Sequence, residues 1–115
     1  KVKKKDVKKI LESEFAKDVK KYLFSKDIEL LEVFLEKKRE FEGRVRIDTS
    51  FGKQEFYLVA LDKKSASNND LTIAWQKAHG MKIQALVMST GELNKKGKEH
   101  LKDWGNLIKY EKLKL

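Results

Sequence analysis

Two apolar runs constrain the fold of this chain more than any other feature of its sequence. The first, Phe56–Leu61, contains six consecutive apolar residues, and the second, Ala85–Met88, contains four. Short runs without polar alternation are typical of strands that are buried on both faces. Between them lies a helical segment, Leu71–His79, which is closed by Gly80. We therefore predict a strand–helix–strand unit at the centre of the fold.

The remaining segments extend this unit to an element order of α-α-β-β-α-β-α-β. Helical periodicity, alternation, turn residues and capping motifs define the boundaries. The predicted elements are helices over Lys4–Phe24 and Lys26–Phe41, strands over Arg44–Asp48 and Phe56–Leu61 joined by a turn at Gly52, a helix over Leu71–His79 capped by Asp70, a strand over Lys82–Met88, a helix from the capping box Ser89–Glu92 to Trp104, and a strand over Asn106–Glu111.

Strands that alternate with helices pair in parallel through right-handed crossovers, whereas a short turn joins antiparallel strands. We therefore predict an α/β protein with a mixed four-stranded sheet, an antiparallel hairpin plus parallel strands, covered by helices. With 115 residues the chain has the size of one domain. Its predicted parts are a helical N-terminal segment, 1–42, and an α/β core, 43–115.

Charge indicates the class of partner. The chain carries 27 Lys and Arg against 18 Asp and Glu, a net charge of +9, and 40% of its residues are hydrophobic. A strongly basic surface on a chain that can still form a core favours nucleic acid as the partner. The amphipathic N-terminal helices leave a homodimer or a protein partner as further alternatives.

The absence of cysteine excludes disulfides and thiolate metal sites. No apolar run approaches the roughly 20 residues that span a bilayer, and the basic start, Lys1–Lys5, is not followed by an apolar signal segment. We expect a cytoplasmic protein without a membrane partner.

Ligand sites in open sheets lie beyond the carboxyl ends of parallel strands. Asp62, Lys63 and Lys64 follow the first apolar strand, and Ser89 and Thr90 follow the second. Lysines and hydroxyl groups at such an edge can contact phosphates. We therefore select Lys63, Ser89 and Thr90 as candidate nucleic-acid ligands.

Two other regions extend this candidate site. Antiparallel pairing across the turn at Gly52 brings Glu42 and Arg44 beside the same edge, and Lys95 and Lys96 lie near the start of the last predicted helix. We add Arg44, Lys95 and Lys96 to the candidate nucleic-acid ligands. Because carboxylates bind hard cations, Glu42 is a candidate metal ligand.

Asp62-Lys63-Lys64 forms a (D/E)-x-K tripeptide at the end of an apolar strand, followed by a loop and a helix that carries Gln76. At this point the chain resembles the restriction-endonuclease-like nuclease superfamily, the PD-(D/E)xK fold that includes archaeal Holliday junction resolvases. The resemblance spans about Glu40–Glu111. It implies that Asp62 binds Mg²⁺, that Lys64 steadies the attacking water or the scissile phosphate, and that Gln76 supports the site.

The resemblance also implies a second carboxylate. Asp48 has the right distance in sequence, but it lies beside the hairpin turn, roughly 20 Å from Asp62 at about 3.3 Å per residue. Either the hairpin has a different register from the one predicted, or Glu40 or Glu42 supplies the second carboxylate, or the site is degenerate and the fold only binds. The family's core has three strands before the helix that carries the glutamine, where the sequence predicts two.

These observations favour a nucleic-acid-binding domain of nuclease-like fold, with Mg²⁺-dependent phosphodiester cleavage by Asp62, Lys64 and Gln76, and with Asp62 and Glu42 or Asp48 as metal ligands. Two alternatives stay open: a non-catalytic nucleic-acid-binding module of the same fold, and a protein-interaction domain of a larger assembly.

Overall fold

The computed structural model describes residues 13–105 and 107–115. Three helices and seven strands lie within these residues. In chain order they are α1 (Glu14–Ser25), β1 (Glu29–Lys37), β2 (Glu40–Thr49), β3 (Gly52–Leu61), β4 (Ser65–Ala66), α2 (Asn68–Gly80), β5 (Gln84–Ser89), β6 (Glu92–Leu93), α3 (Lys95–Trp104) and β7 (Ile108–Lys112). No helix of the described residues is long and apolar enough to cross a membrane.

Five strands form one mixed sheet in the order β1-β2-β3-β5-β7. β2 is antiparallel to both β1 and β3, whereas β3, β5 and β7 are parallel. The predicted hairpin and the predicted parallel strands are therefore confirmed, but the sheet has five strands where four were expected. The short strands β4 and β6 pair in parallel as a separate two-stranded sheet.

The extra strand replaces the predicted helix Lys26–Phe41, which is wrong. β1 pairs with β2 through a ladder whose register shifts twice, between Leu30 and Glu32 and again between Val33 and Leu35. Each shift inserts one residue, Leu31 or Phe34, and so lengthens the apolar spacing from two residues to three. A doubly bulged strand therefore shows the three- and four-residue spacing of an amphipathic helix.

The first predicted helix is only partly within the described residues, since 4–12 lie outside them. The described helix α1 begins after Ser13, whose hydroxyl accepts a hydrogen bond from the Ala16 N–H at 3.0 Å. It buries Phe15, Val19 and Leu23 against the sheet. Helical spacing of apolar residues correctly identified this face.

Two predicted caps are displaced by about one turn. α2 is capped by Ser67, and Asp70, the predicted cap, is the third helical residue that completes a capping box with it. α3 is capped by Asn94 and not by the Ser89–Glu92 motif, because Ser89 is still part of β5. Both errors have one cause: several Ser, Asn and Asp residues precede each helix, and tertiary contacts select among them.

Helices cover both faces of the sheet. Phe56, Leu58 and Ala60 of β3 pack with α1 on one face. Tyr57, Val59 and Leu61 pack on the other face, in the core that α2 enters with Leu71, Ala74 and Ala78. This alternation explains why the strand at Phe56–Leu61 is apolar at every position. The two buried faces fix the register of β3 and so fix which residues leave its carboxyl end.

Candidate nucleic-acid interface

The carboxyl ends of β3 and β5 are adjacent, because Leu61 pairs with Ser89 in the parallel ladder. The start of β2 lies at the same edge, where Glu40 pairs with Leu61. One residue further out, the Asp62 N–H donates to the carbonyl oxygen of Arg39 at 2.9 Å. The turn between β1 and β2 therefore lies beside Asp62.

Hydrogen bonds join the two loops that leave β3 and β5. The Thr90 N–H donates to the Leu61 carbonyl at 3.1 Å, and the Thr90 hydroxyl donates to Asp62 Oδ1 at 3.0 Å. Further along, β4 pairs with β6, and the Asn94 N–H donates to the Ala66 carbonyl at 2.8 Å. The edge is thus held in one arrangement.

Gly91 allows the closest approach between these loops. A Cβ atom at Gly91 would lie 2.0 Å from the Lys64 carbonyl oxygen and 2.3 Å from that of Lys63. Since no side chain fits against a carbonyl oxygen at this distance, only glycine is compatible with the observed packing. The close approach presses the segment 63–64 against the loop that follows β5.

An open cleft of about 450 Å³ lies over this junction, and we call it the basic cleft. It is lined by Arg39, Asp62, Lys63, Lys64, Thr90 and Gly91. The Lys63 ammonium group donates to Asp70 Oδ2 at 2.8 Å, and this ion pair partly neutralises the charge of Lys63. Arg39 and Lys64 are exposed, and among the described residues neither has an ion-pair partner. The cleft therefore has an excess of positive charge.

The basic cleft brings together four of the residues that the sequence selected, Asp62, Lys63, Lys64 and Thr90. Ser89 lies beneath it and is fully buried, with its hydroxyl donating to the Gly91 carbonyl at 2.8 Å. Burial removes Ser89 from contact with a ligand. Ser89 is therefore removed from the set of candidate nucleic-acid ligands.

Four other candidates lie away from the cleft lining. Gln76 is exposed on α2, and Lys95 and Lys96 are exposed in the first turn of α3. The Arg44 guanidinium lies on the sheet, where it donates to Glu32 at 2.9 Å and to Glu55 at 2.7 Å. Those carboxylates, Glu55 first, raise the Arg44 pKa above its ordinary value. Its charge is therefore compensated within the protein.

Glu42 is buried inside β2, with 3% of its surface exposed. Lys77 Nζ of α2 contacts its two carboxylate oxygens at 2.7 and 3.0 Å, and the Tyr57 hydroxyl donates to Oε1 at 2.8 Å. Burial, and after it the hydrogen bond to Glu42, raises the pKa of Tyr57 above its ordinary value. We call these three residues the Glu42 cluster. In this cluster, the charge of the buried Glu42 carboxylate is balanced by the protein's own Lys77.

The three candidate metal ligands do not form an Mg²⁺ site. Asp48 pairs with Lys53 at the far end of the hairpin, as the sequence indicated. Glu42 lies three residues along β2 from Arg39, the neighbour of Asp62, which separates the two acids by roughly 10 Å. Within the described residues, no group of three or more His, Cys, Asp or Glu could hold a metal ion. Asp48 and Glu42 therefore do not join Asp62, and Glu40, which pairs with Leu61 and is half-buried, is the acid of β2 nearest to Asp62 in the ladder.

Sequence reasoning missed two basic residues of this region. Arg39 was assigned to a helix, and only the bulged strand β1 exposes it in a turn. Lys77 follows the selected Gln76 and is the α2 side chain that contacts the buried acid. The sequence around Lys77 does not indicate this ion pair, because its partner Glu42 is 35 positions away.

No protein-family model matches this chain, and a search of curated proteins found no match. Among solved structures, the chain is similar to the DNA modification-dependent restriction endonuclease AspBHI, with 15% sequence identity and a TM-score of 0.48. The match covers 72% of this chain and 22% of that protein, so the chain spans about a fifth of its length. The strand order, three antiparallel strands followed by parallel strands, defines a mixed α/β fold.

Proposed function

We propose that this chain is a nucleic-acid-binding domain of restriction-endonuclease-like fold that contacts phosphates through its basic cleft and does not cleave them. One observation carries the proposal. Cations of the β1–β2 turn and of the β3 end converge on the loop at Thr90 and Gly91, while Glu42 is paired with Lys77. Among the described residues that line the basic cleft, Asp62 is the one carboxylate, which supports binding of phosphates without cleavage.

The chemistry of the cleft suits a phosphate diester. Arg39 offers a planar set of donors that matches two phosphate oxygens, and Lys64 adds a point charge on a flexible stem. The two loops between them are held by the Thr90 hydrogen bonds and the Gly91 packing, so little order has to be gained on binding. The net charge of +9 adds long-range attraction for a polyanion.

Lys95 and Lys96 extend the proposed interface. They are exposed in the first turn of α3, which begins directly after β6 and its cap Asn94. Since the positive end of the helix dipole lies there, phosphates that leave the cleft in this direction are favoured. Arg44 is excluded from the interface because Glu32 and Glu55 compensate its charge.

Binding should be measured by fluorescence anisotropy on single-stranded and duplex DNA and on RNA, over a range of salt concentrations. The test variant is Arg39→Ser with Lys64→Ser. The matched control is Lys21→Ser with Lys102→Ser, which removes the same charge from exposed positions on α1 and α3. Loss of two phosphate contacts should lower the slope of log affinity against log salt by about two. The control should keep the wild-type slope.

Equal losses in both double variants would show that only overall charge matters and would overturn the assignment of the cleft. If the wild-type protein binds no nucleic acid even at low salt, the protein-interaction alternative takes its place.

Catalysis is tested on the same samples with Mg²⁺ or Mn²⁺ and with EDTA. We expect no metal-dependent cleavage, because a single half-exposed acid, Asp62, is left in the cleft. Metal-dependent cleavage that disappears in Asp62→Asn and in Lys64→Ala would overturn this part of the proposal. The roles that the resemblance implies for Asp62, Lys64 and Gln76 would then apply.

A further inference from the structure

A second cleft lies at the opposite edge of the sheet, where the parallel strands begin. β5 starts at Gln84, which pairs with Phe56, so the first four residues of β3 extend beyond it. This overhang and the ends of α2 and β5 border an open space of about 380 Å³. We call it the amino-edge cleft. Its volume is within the usual range of small-ligand sites.

One wall of the amino-edge cleft is aromatic. The rings of Trp75 and His79 stack at 4.8 Å with an interplanar angle of 17°. Trp104 meets Trp75 edge-on, with ring centroids 5.2 Å apart and an interplanar angle of 90°. His79 is exposed, Trp75 is half-buried, and both rings line the cleft. A rigid, partly exposed pair of rings offers a stacking surface at little cost in side-chain entropy.

The facing wall is polar. Gln54, on the overhanging part of β3, carries an amide that can both donate and accept hydrogen bonds, and Lys82 adds an ammonium group. Glu55 also lines this wall, and its carboxylate is paired with Arg44 at 2.7 Å. Lys82 is exposed and has no ion-pair partner among the described residues. An aromatic surface, an amide and a cation are the three features that bind a base, its edge and its phosphate.

Lys82 occupies its position against its backbone preference. It has φ of 60°, in the left-handed region, within a turn where the Ile83 N–H donates to the Ala78 carbonyl at 3.1 Å. Glycine is the usual residue at this position of a helix C-terminus, since it has no Cβ. A lysine held there despite the strain suggests that its side chain serves a purpose other than folding.

We propose that the amino-edge cleft binds one unpaired nucleotide, with its base against Trp75 and His79, its base edge at Gln54 and its phosphate at Lys82. The inference rests on the proposed function and names the form of nucleic acid that the domain prefers, a single strand. A free base can stack and hydrogen-bond there at the same time.

The test compares two ten-nucleotide single strands of equal charge, one normal and one in which every base is replaced by an abasic sugar. Base stacking on aromatic side chains should make the wild-type protein prefer the normal strand by roughly tenfold. Tryptophan emission should be quenched by the normal strand only.

Lys82→Gly and Gln54→Ala should each weaken binding of the normal strand more than binding of the abasic strand, which keeps its phosphates but has no base to hold in the cleft. Lys82→Gly separates this effect from folding, because glycine relieves the left-handed strain and the midpoint of thermal unfolding should not fall. Asp27→Gly, at the other left-handed non-glycine position with φ of 58°, is the matched backbone control. Lys102→Ala is the control for charge. Neither control should change the preference for the normal strand.

Equal binding of the two strands by the wild-type protein, or a preference that both cleft variants retain, would overturn the inference while the basic cleft keeps its role. Failure to bind either strand at low salt would instead remove the proposed function, and the inference with it.

Discussion

Glu42 and Asp62 are acids on neighbouring strands near the same edge of the sheet, but their surroundings differ. Glu42 is almost completely buried and is held by Lys77 and Tyr57. Asp62 is half-buried at the rim of the basic cleft, where the Thr90 hydroxyl donates to it. One carboxylate is compensated by the protein, and the other still faces solvent and any ligand.

This difference shows how two acids near one edge of a sheet can be stabilised in different ways. A buried carboxylate needs an opposite charge and hydrogen bonds to offset its desolvation. At Glu42 the ammonium group of Lys77 supplies that charge, so no bound cation is needed for stability. Asp62 is partly exposed and accepts a hydrogen bond from the Thr90 hydroxyl. The two acids should therefore respond differently to substitution.

The largest effect is expected from Gly91→Ala, which acts on the Asp62 side. Its new Cβ would lie 2.0 Å from the Lys64 carbonyl oxygen, so the two loops must separate. We expect a loss of about 3 kcal/mol in the free energy of unfolding, measured by urea denaturation, since backbone atoms cannot relax like a side chain. Gly80→Ala is the control, because nothing lies within 4 Å of a Cβ there.

Gly80→Ala should raise stability by about 0.5–1 kcal/mol, as alanine favours a helix more than glycine does. If Gly91→Ala is as harmless as Gly80→Ala, the two loops do not pack as described.

The Glu42 cluster is tested by Lys77→Met, which leaves a buried carboxylate without its cation. Because 40% of the Lys77 side chain is exposed, we expect a loss of about 2–3 kcal/mol, below the full cost for a wholly buried pair. Lys64→Met, at the rim of the basic cleft, should change stability by less than about 0.5 kcal/mol. Urea denaturation of both variants gives the comparison.

A second change sharpens the result. Glu42→Gln in the Lys77→Met background should recover most of the lost stability, because the buried group is then neutral and still accepts the Tyr57 hydroxyl. No recovery would mean that Lys77 contributes by packing and not by charge.

Tyr57 gives the cluster a dependence on pH. The pKa of Tyr57 is raised above its ordinary value of 10.0 by burial and by the hydrogen bond to Glu42. Above about pH 10 the unfolded chain releases the phenolic proton while the folded protein keeps it, so stability falls as pH rises through that range. Tyr57→Phe should cost about 1–2 kcal/mol at neutral pH.

The difference between wild type and Tyr57→Phe should shrink in unfolding curves recorded above about pH 10. Tyr22→Phe is the parallel case, since burial, followed by the hydrogen bond to Glu111, raises the Tyr22 pKa to about 12. A difference between wild type and Tyr57→Phe that stays constant across this range would contradict the assigned hydrogen bond.

The smallest effect on folding is expected from Asp62→Asn. The amide still accepts the Thr90 hydroxyl, so stability should change by less than about 0.5 kcal/mol. Removal of a negative charge from the basic cleft should raise the affinity for nucleic acid by roughly fivefold, which anisotropy at low salt would measure. A fall in affinity would instead indicate that Asp62 contacts the ligand directly or through a cation.

Local sequence predicted the elements whose patterns are simple. The apolar strand Phe56–Leu61, the turn at Gly52 and the strand that contains Ala85–Met88 are found where expected, with the predicted directions. Short apolar runs bounded by turn residues favour strands that are buried on both faces. The basic edge that contains Asp62, Lys63 and Lys64 followed from this topology.

The errors share one physical origin, contacts between residues far apart in the chain. The bulges in β1 arise from its pairing with β2, and they gave a strand the spacing of a helix. The short strands β4 and β6 exist only because the two loops meet, which moved the cap of α3 from Ser89 to Asn94. Neither feature has a local signal.

The sequence by itself determined a basic α/β chain with a hairpin, parallel strands and a cationic carboxyl edge, because periodicity and net charge are properties of neighbouring residues. Only the tertiary structure decided that Arg39 joins that edge, that Lys77 pairs with Glu42 and that Gly91 admits the Lys64 carbonyl. These pairs are far apart in sequence, and their energies depend on burial and on distances of a few ångströms, which exist only once the chain has packed.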